Sequence, residues 1–282
     1  MNSVAIVGLG WLGFPLAKHL QRIGWNVKGS KRTHEGTESI RLNGLEAYCV
    51  QLTPEIDADP DDLNELLSVD SLIINIPPSQ YFFDTRSYVE GIKNLVNEAL
   101  LHGVQHLLFI SSTSVFPQKD GEYHEESAVE PESDVGHALY EIENWLLALN
   151  GVDCDILRLA GLIGIDRHPV SHLAGRQAIK GGNQAVNLVH QTDCILAMQL
   201  LLETRGYKRL YHLSAPQHPK RADYYKKMAQ LLALDEPHFV TDEADLQRIV
   251  HGNKIVQELD FDYAYPDPYQ MLPQAEQYFH QD

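Results

Sequence analysis

The chain has 282 residues, 44% of them hydrophobic, and a formal net charge of −17 from 22 Lys plus Arg against 39 Asp plus Glu. That length and apolar content suit one large α/β domain, or a nucleotide domain with a smaller lobe, and the acidic balance argues against nucleic acid and anionic membranes as partners. No apolar run approaches a membrane span, and a first strand beginning at the third residue leaves no room for a signal peptide, so a cytoplasmic location is expected.

Val4 to Val7 reads as a buried strand running into Gly8-Leu9-Gly10-Trp11-Leu12-Gly13, a G-x-G-x-x-G. The stretch after it is helical in period, with Leu16, Ala17, Leu20 and Ile23 on one face. Gly24 stops that helix, and Val27 to Gly29 reads as a second strand. In this context the glycines are those of a dinucleotide site. Gly8 permits the tight turn, Gly10 the approach of a pyrophosphate, and Gly13 close helix–strand packing. Trp11 and Leu12, on the same turn, are counted with the cofactor contacts.

An NAD site usually ends its second strand in Asp or Glu, which accepts from the ribose 2′-hydroxyl. Ser30, Lys31 and Arg32 stand there instead. A carboxylate would repel a 2′-phosphate and these cations would hold it, so NADP(H) is favoured, with NAD(H) as the alternative.

Leu45 to Leu52 reads as a third strand, Asp61 to Leu67 as a crossover helix, and Asp70 to Ile76 as a fourth strand closed by Pro77-Pro78-Ser79. Prolines there stop the ladder where a cofactor would cross the strand ends, so Ile76 and Pro77 join the expected cofactor site. Arg86 to Leu101 is a long amphipathic helix, and His106 to Ile110 a fifth strand followed by Ser111-Ser112-Thr113-Ser114-Val115-Phe116. After an acidic loop, Gln118 to Ser133, come a helix over Asp134 to Leu149 and a sixth strand over Asp155 to Leu159. This alternation implies an α/β fold with a parallel, doubly wound sheet.

Beyond Gly161 the pattern loosens. Helices are expected over Ser171–Lys180, Thr192–Glu203 and Ala222–Leu234, with strands over Val186–Val189 and Arg209–Leu213. The expected plan is a nucleotide-binding core over 1–164. Residues 165–282 then hold remaining core elements (about 183–214) and a small substrate lobe (about 165–182 and 215–282). Cys49, Cys154 and Cys194 read as buried free thiols. His168 and His172 stand four apart without a carboxylate partner, so no metal site is expected.

The glycine turn, SSTSVF, Glu126-Ser127 followed by Pro131, LRLAGLIG (157–164), NLVHQTD (187–193) and GNKIV (252–256) together resemble the extended short-chain dehydrogenase/reductases. That group contains nucleoside-diphosphate-sugar epimerases and dehydratases, and the likeness, nearly chain-long, is nearest to an atypical branch of it. It implies a Rossmann sheet with a small C-terminal substrate lobe, an NAD(P) cofactor reaching Leu52, Ser111, Ala160 and Gly161, and a nucleotide-sugar-like or other small carbonyl or hydroxyl substrate. It also implies a homodimer through the helices over 86–101 and 134–149, which carry apolar residues on more than one face. Two positions depart from the group's pattern. Val7 replaces its first glycine, and Gln51-Leu52 replaces an Asp that binds adenine.

The family's chemistry uses a Ser or Thr, a Tyr, and a Lys four residues after the Tyr. Ser112 takes the first place, with a local backbone contact as its alternative role. No Y-x-x-x-K occurs in the chain, and Tyr140 is followed at that spacing by Asn144. Aligning the family's helix Glu on Glu143 puts Val135 at the Tyr position and Leu139 at the Lys position. Tyr140 is a catalytic candidate only if that register is wrong. His190, near Asp193, is a further candidate, with a capping role as its alternative; His137 is a lone helix histidine.

Three functions follow. The first is an NADP(H)-dependent oxidoreductase or epimerase with a degenerate Tyr/Lys pair. The second is a non-catalytic NADP(H)-sensing regulator. The third, from GLGWLG with SKRT, is a 3-hydroxyacid dehydrogenase-like enzyme, against which the strand-like LYHLS (210–214) and VNLV (186–189) stand.

Overall fold

The computed structural model describes residues 2–78 and 84–272. The chain opens with β1 (Ser3–Val7), α1 (Gly13–Arg22), β2 (Asn26–Lys31), α2 (His34–Leu42), β3 (Glu46–Cys49), β4 (Gln51–Leu52) and β5 (Ile56–Asp57). It continues through α3 (Pro60–Leu67), β6 (Ser71–Ile74), α4 (Thr85–Leu101), β7 (His106–Ser112), β8 (Gly121–Tyr123), α5 (Asp134–Ala148) and β9 (Asp153–Leu159). The remainder is β10 (Gly161–Ile163), α6 (Val170–Leu173), β11 (Leu188–His190), α7 (Gln191–Thr204), β12 (Arg209–Leu213), α8 (Arg221–Leu231), β13 (Arg248–Val250) and α9 (Lys254–Leu259).

Seven strands form one sheet in the order β12-β9-β7-β6-β1-β2-β3. β1 pairs in parallel with β2 on one side and β6 on the other, and the parallel ladder extends to β3 and β7. Buried strands of this kind are apolar on both faces. Val4, Ala5 and Ile6 of β1 and all four residues of β6 accordingly have no exposed surface. The chain winds outward from β1 in one direction to β3 and then in the other through β6 and β7. That reversal opens a crevice at the carboxyl ends of β1 and β6.

Several elements depart from the sequence expectation. The third strand ends at Cys49, and Gln51–Leu52 turns away to pair antiparallel with Ile56–Asp57. A helix, α2, fills the interval between β2 and β3, started by Thr33, whose Oγ1 accepts from Gly36 N at 3.2 Å. The helix expected over 171–180 is only the single turn α6. Gly175 and Ala178 take positive φ (68° and 55°), and Ile179 exchanges backbone hydrogen bonds with His238 and Val240.

Two compact units interleave along the sequence. Met1–Val115, Val129–Arg158 and Ile195–Leu210 make the first; Phe116–Ala128, Leu159–Cys194 and the chain from Tyr211 make the second. The boundary therefore does not fall at 164. The acidic segment belongs to the second unit because β8 pairs in parallel with β13, Gly121 opposite Arg248 and Tyr123 opposite Val250. That unit's core gathers Tyr224, Met228 and Ala229 of α8 with Ile163, Val170, Leu188 and Met271.

In the first unit, α4 packs on α5. Of the apolar residues these two helices carry, Val89, Ile92, Leu95 and Val96 with Leu139, Ile142 and Leu146 are buried. Leu100 and Leu149 are half-buried. Cys154 and Cys194 are buried free thiols, whereas Cys49 is half-exposed, at the sheet edge where β3 ends. Among the described residues no helix is long and apolar enough to cross a membrane.

Candidate functional site

The glycine loop leaves β1 at the crevice, and each glycine there has a different physical reason. Gly8 holds φ at +112°, and a Cβ on it would lie 2.3 Å from the Asn75 carbonyl oxygen. At Gly13 a Cβ would fall 2.2 Å from the Gly8 oxygen. The protein's own packing requires both. Gly10 is different: nothing lies within 4 Å of where its Cβ would be. Open space lies there, and Gly10 is on the wall of a cleft. Behind it, α1 starts with no side-chain cap and no acidic residue in its first turn, so no carboxylate of that turn offsets the positive end of its dipole. Leu9 N donates to Ser30 O (3.0 Å), and Asn75 Nδ2 donates to Gly8 O (3.0 Å), fixing the loop against its neighbouring strands.

A cleft of about 210 Å³ runs beside this loop, and no carboxylate lines it among the described residues. Gly8, Gly10, Ser30, Lys31, Arg32, Leu52 and Ile76, all expected at the cofactor, meet along it. Lys31 is half-buried and its Nζ donates to Leu9 O at 3.2 Å, so the ammonium already lies between β2 and the glycine loop; Arg32 is exposed. Gln51 lines the same wall, at the expected adenine position. Trp11 and Leu12 sit on the turn into α1, and the exposed Pro77 lies just past β6. Asn75 was not foreseen; an Asn directly after a buried apolar strand was its only signal.

At the end of β7, Ser111 and Ser112 point to different partners. Ser111 Oγ donates to Glu143 Oε1 at 2.5 Å, and Glu143 receives a forked pair from Arg158, Nε at 3.0 Å and Nη2 at 2.6 Å. Glu143 and Arg158 are 1% and 2% exposed, so this is a buried, neutralised cluster. Ser112 is half-buried, and its Oγ accepts from Ser114 N at 3.1 Å. That contact uses a lone pair and leaves the hydroxyl proton to donate.

The Glu143 contact fixes which face of α5 looks at β7. Residues 135, 139 and 143 repeat every four positions and share that face. Val135 is half-buried there, and Leu139, 1% exposed, is a core residue. Tyr140 follows Leu139 by one residue, turned about 100° around the helix, and is half-buried. Gly136 allows the approach of α5, since a Cβ there would sit 2.9 Å from Ser114 O. His137 is exposed.

The other expected residues belong to the second unit. Gly161 N donates to Asn187 O at 3.0 Å and Ala160 N to Leu213 O at 3.0 Å, both ordinary ladder contacts. His190 is buried; its Nδ1 accepts from Thr192 N at 3.2 Å, a cap on the first turn of α7, and its ring packs 3.9 Å from that of Tyr265. Burial lowers its pKa below the usual imidazole value. Asp193 has no exposed surface; burial pushes its carboxyl up to about 6, and Oδ1 accepts from Ala264 N at 2.7 Å. His168 is held at both ring nitrogens, by Tyr224 Oη (2.9 Å) and Val170 N (3.1 Å), and burial lowers its pKa to about 4. His172, four residues on, is exposed.

No family model matches the chain. Protein YeeZ of Escherichia coli K12 is 42% identical over 269 residues, covering 95% of this chain and 98% of that protein. Solved structures share the fold at lower identity. A short-chain dehydrogenase/reductase superfamily protein from Agrobacterium tumefaciens with bound NAD aligns with TM-score 0.76 at 18% identity, over 99% of this chain and 96% of that one. UDP-glucose 4-epimerase from Thermotoga maritima, solved with UDP-glucose, aligns with TM-score 0.79 at 16% identity over 98% of each chain.

Proposed function

The chain belongs to the family of protein YeeZ and has the fold of the extended short-chain dehydrogenase/reductases, and from that premise we propose that it binds NADP(H) and works as an oxidoreductase or epimerase on a nucleotide-sugar-like or other small carbonyl or hydroxyl substrate. The observation that carries this reading is the cleft with open space at Gly10, two cations at the end of β2 and no carboxylate in its wall. The residues present fit a phosphorylated dinucleotide. Gly10 and the start of α1 would hold the pyrophosphate, Lys31 and Arg32 the 2′-phosphate, and Gln51 the adenine edge.

Calorimetry tests the cofactor assignment. NADPH should bind about tenfold more tightly than NADH, some 1.4 kcal/mol. Replacing Lys31 and Arg32 with alanine should remove the difference. NADH binding as well as NADPH in the parent protein would overturn the preference.

The bound nicotinamide would supply or accept a hydride; the chain's own part is to orient the substrate and handle its proton. Ser112 carries a hydroxyl whose proton its contact with Ser114 N does not use, while Leu139 brings no charge to the family's Lys position. Ser112→Ala should therefore lower turnover on UDP-sugars by about 10²-fold or more, and Tyr140→Phe should leave it nearly unchanged. A comparable loss with Tyr140→Phe would restore tyrosine chemistry. The buried Leu139 also favours a second reading, a regulator that binds NADP(H) without turning it over. Tight NADPH binding with no turnover across a panel of nucleotide sugars would select that reading.

A further inference from the structure

The second unit carries a cluster of metal-ligating side chains remote in sequence from one another. β8 and β13 run parallel with Glu122 opposite Ile249 and Tyr123 opposite Val250, so the next residues, His124 and His251, are neighbours where the short ladder ends. Successive side chains on a strand alternate faces, so Glu122 and His124 project on the same side. Their positions follow from register alone, and the rings obey it. The His124 and His251 imidazoles lie 4.4 Å apart and nearly parallel, at 5°.

Candidate ligand atoms of Glu122, His124 and His251 all lie within 4.8 Å of one another. His251 Nε2 is 3.3 Å from Glu122 Oε2, yet that buried nitrogen makes no hydrogen bond among the described residues. The two atoms sit at a close separation without aiming at each other. Two ligands on one tetrahedral ion have this relation: bonds of about 2.0–2.2 Å place them about 3.4 Å apart.

The backbone beneath is fixed. His251 N donates to Tyr123 O (2.9 Å), His124 N to Ser127 Oγ (2.8 Å) and Gly121 N to Gln247 O (2.9 Å). Glu122 and His124 are exposed, so the carboxylate can close by the remaining ångström or so and the His124 ring can turn out of the stack, as it must for two in-plane lone pairs to meet at one ion.

We propose that Glu122, His124 and His251 bind a divalent transition ion of the zinc class, through two imidazoles and one carboxylate, with the fourth coordination position left to water or a ligand oxygen. Imidazole and carboxylate donors suit Zn²⁺ over Mg²⁺ or Ca²⁺, which favour all-oxygen sets. The ion would join β8 to β13 across the long intervening chain. It is independent of the cofactor reading, which rests on the first unit.

The test uses the full chain, stripped with a chelator and loaded with Zn²⁺ alone. The chain has 14 histidines, so weak binding elsewhere must be removed by gel filtration before metal is counted. About one Zn²⁺ per chain should be retained. His124→Ala and His251→Gln should each weaken binding by about 100-fold or more, since even outer-sphere partners are worth about 10- to 100-fold. His172→Ala, on an exposed histidine outside the cluster, should change nothing. Circular dichroism of each variant separates loss of metal from loss of fold, and the exposed Glu122→Gln gives a third variant in which folding is not at issue. No retained Zn²⁺ in the parent, or retention that survives His124→Ala and Glu122→Gln in folded protein, would overturn the proposal.

Discussion

Glu143→Ala should destabilise the protein by about 3–5 kcal/mol, read as a fall in the urea midpoint with little change in slope. The carboxylate accepts from Ser111 and, through two bonds, from the guanidinium of Arg158. Alanine takes the Glu143 counter-charge from Arg158 at a position only 2% exposed, and weakening the pairing of a buried charge carries a large desolvation penalty. The pair itself need not stabilise the fold. Glu143→Leu combined with Arg158→Met should return stability to within about 1–2 kcal/mol of the parent, because apolar replacement of both partners removes the penalty with the attraction. A single-variant loss below about 1 kcal/mol would mean that water reaches the cluster.

Gly10→Asp should abolish dinucleotide binding, by at least about 100-fold or some 2.8 kcal/mol, while leaving stability within about 0.5 kcal/mol. No protein atom lies near its Cβ position, so the fold has nothing to lose there. The carboxylate would occupy the space left for the pyrophosphate and repel it. Gly8→Ala makes the contrast. Its φ of +112° and a Cβ 2.3 Å from a backbone oxygen should cost stability first, with binding lost as a consequence. Calorimetry and urea unfolding on the two variants separate the two roles. Equal destabilisation by both would show that the loop's shape itself depends on Gly10.

The opening strand, glycine turn and helix of the first unit were legible because their signals are local. A buried apolar run, three spaced glycines and two cations at the end of β2 fall within the first 32 residues, and Gly8, Gly10, Lys31 and Arg32 among them line one cleft. The α2 helix was not legible, since HEGTESIRL has one glycine and few apolar residues; only Thr33 at its start announced it. Nor was the fate of residues 45–52, because nothing in Val50-Gln51-Leu52 marks the point where the ladder is abandoned. Glu143 could be placed by resemblance, but its partner Arg158 stood unmarked inside a strand. The Glu122–His124–His251 cluster was invisible for a related reason. Its members become neighbours only through the register of two strands that short, irregular sequence does not announce.

The interleaving of the two units constrains the order in which the protein can be made. Synthesis proceeds from the N-terminus at about 5–20 residues per second, so Gly121–Tyr123 emerges roughly 6–25 s before the strand it pairs with. During that interval β8 is an unsatisfied strand edge on a nascent chain, the kind of surface that captures other chains. Asp120, Glu122, Glu125 and Glu126 surround it. Charges along an edge disfavour its pairing with another copy of the same acidic segment. The first unit is likewise incomplete until Leu210 has been added. Neither half can be cut out as a continuous fragment, and a chain halted between Phe116 and Leu210 would hold two partial cores.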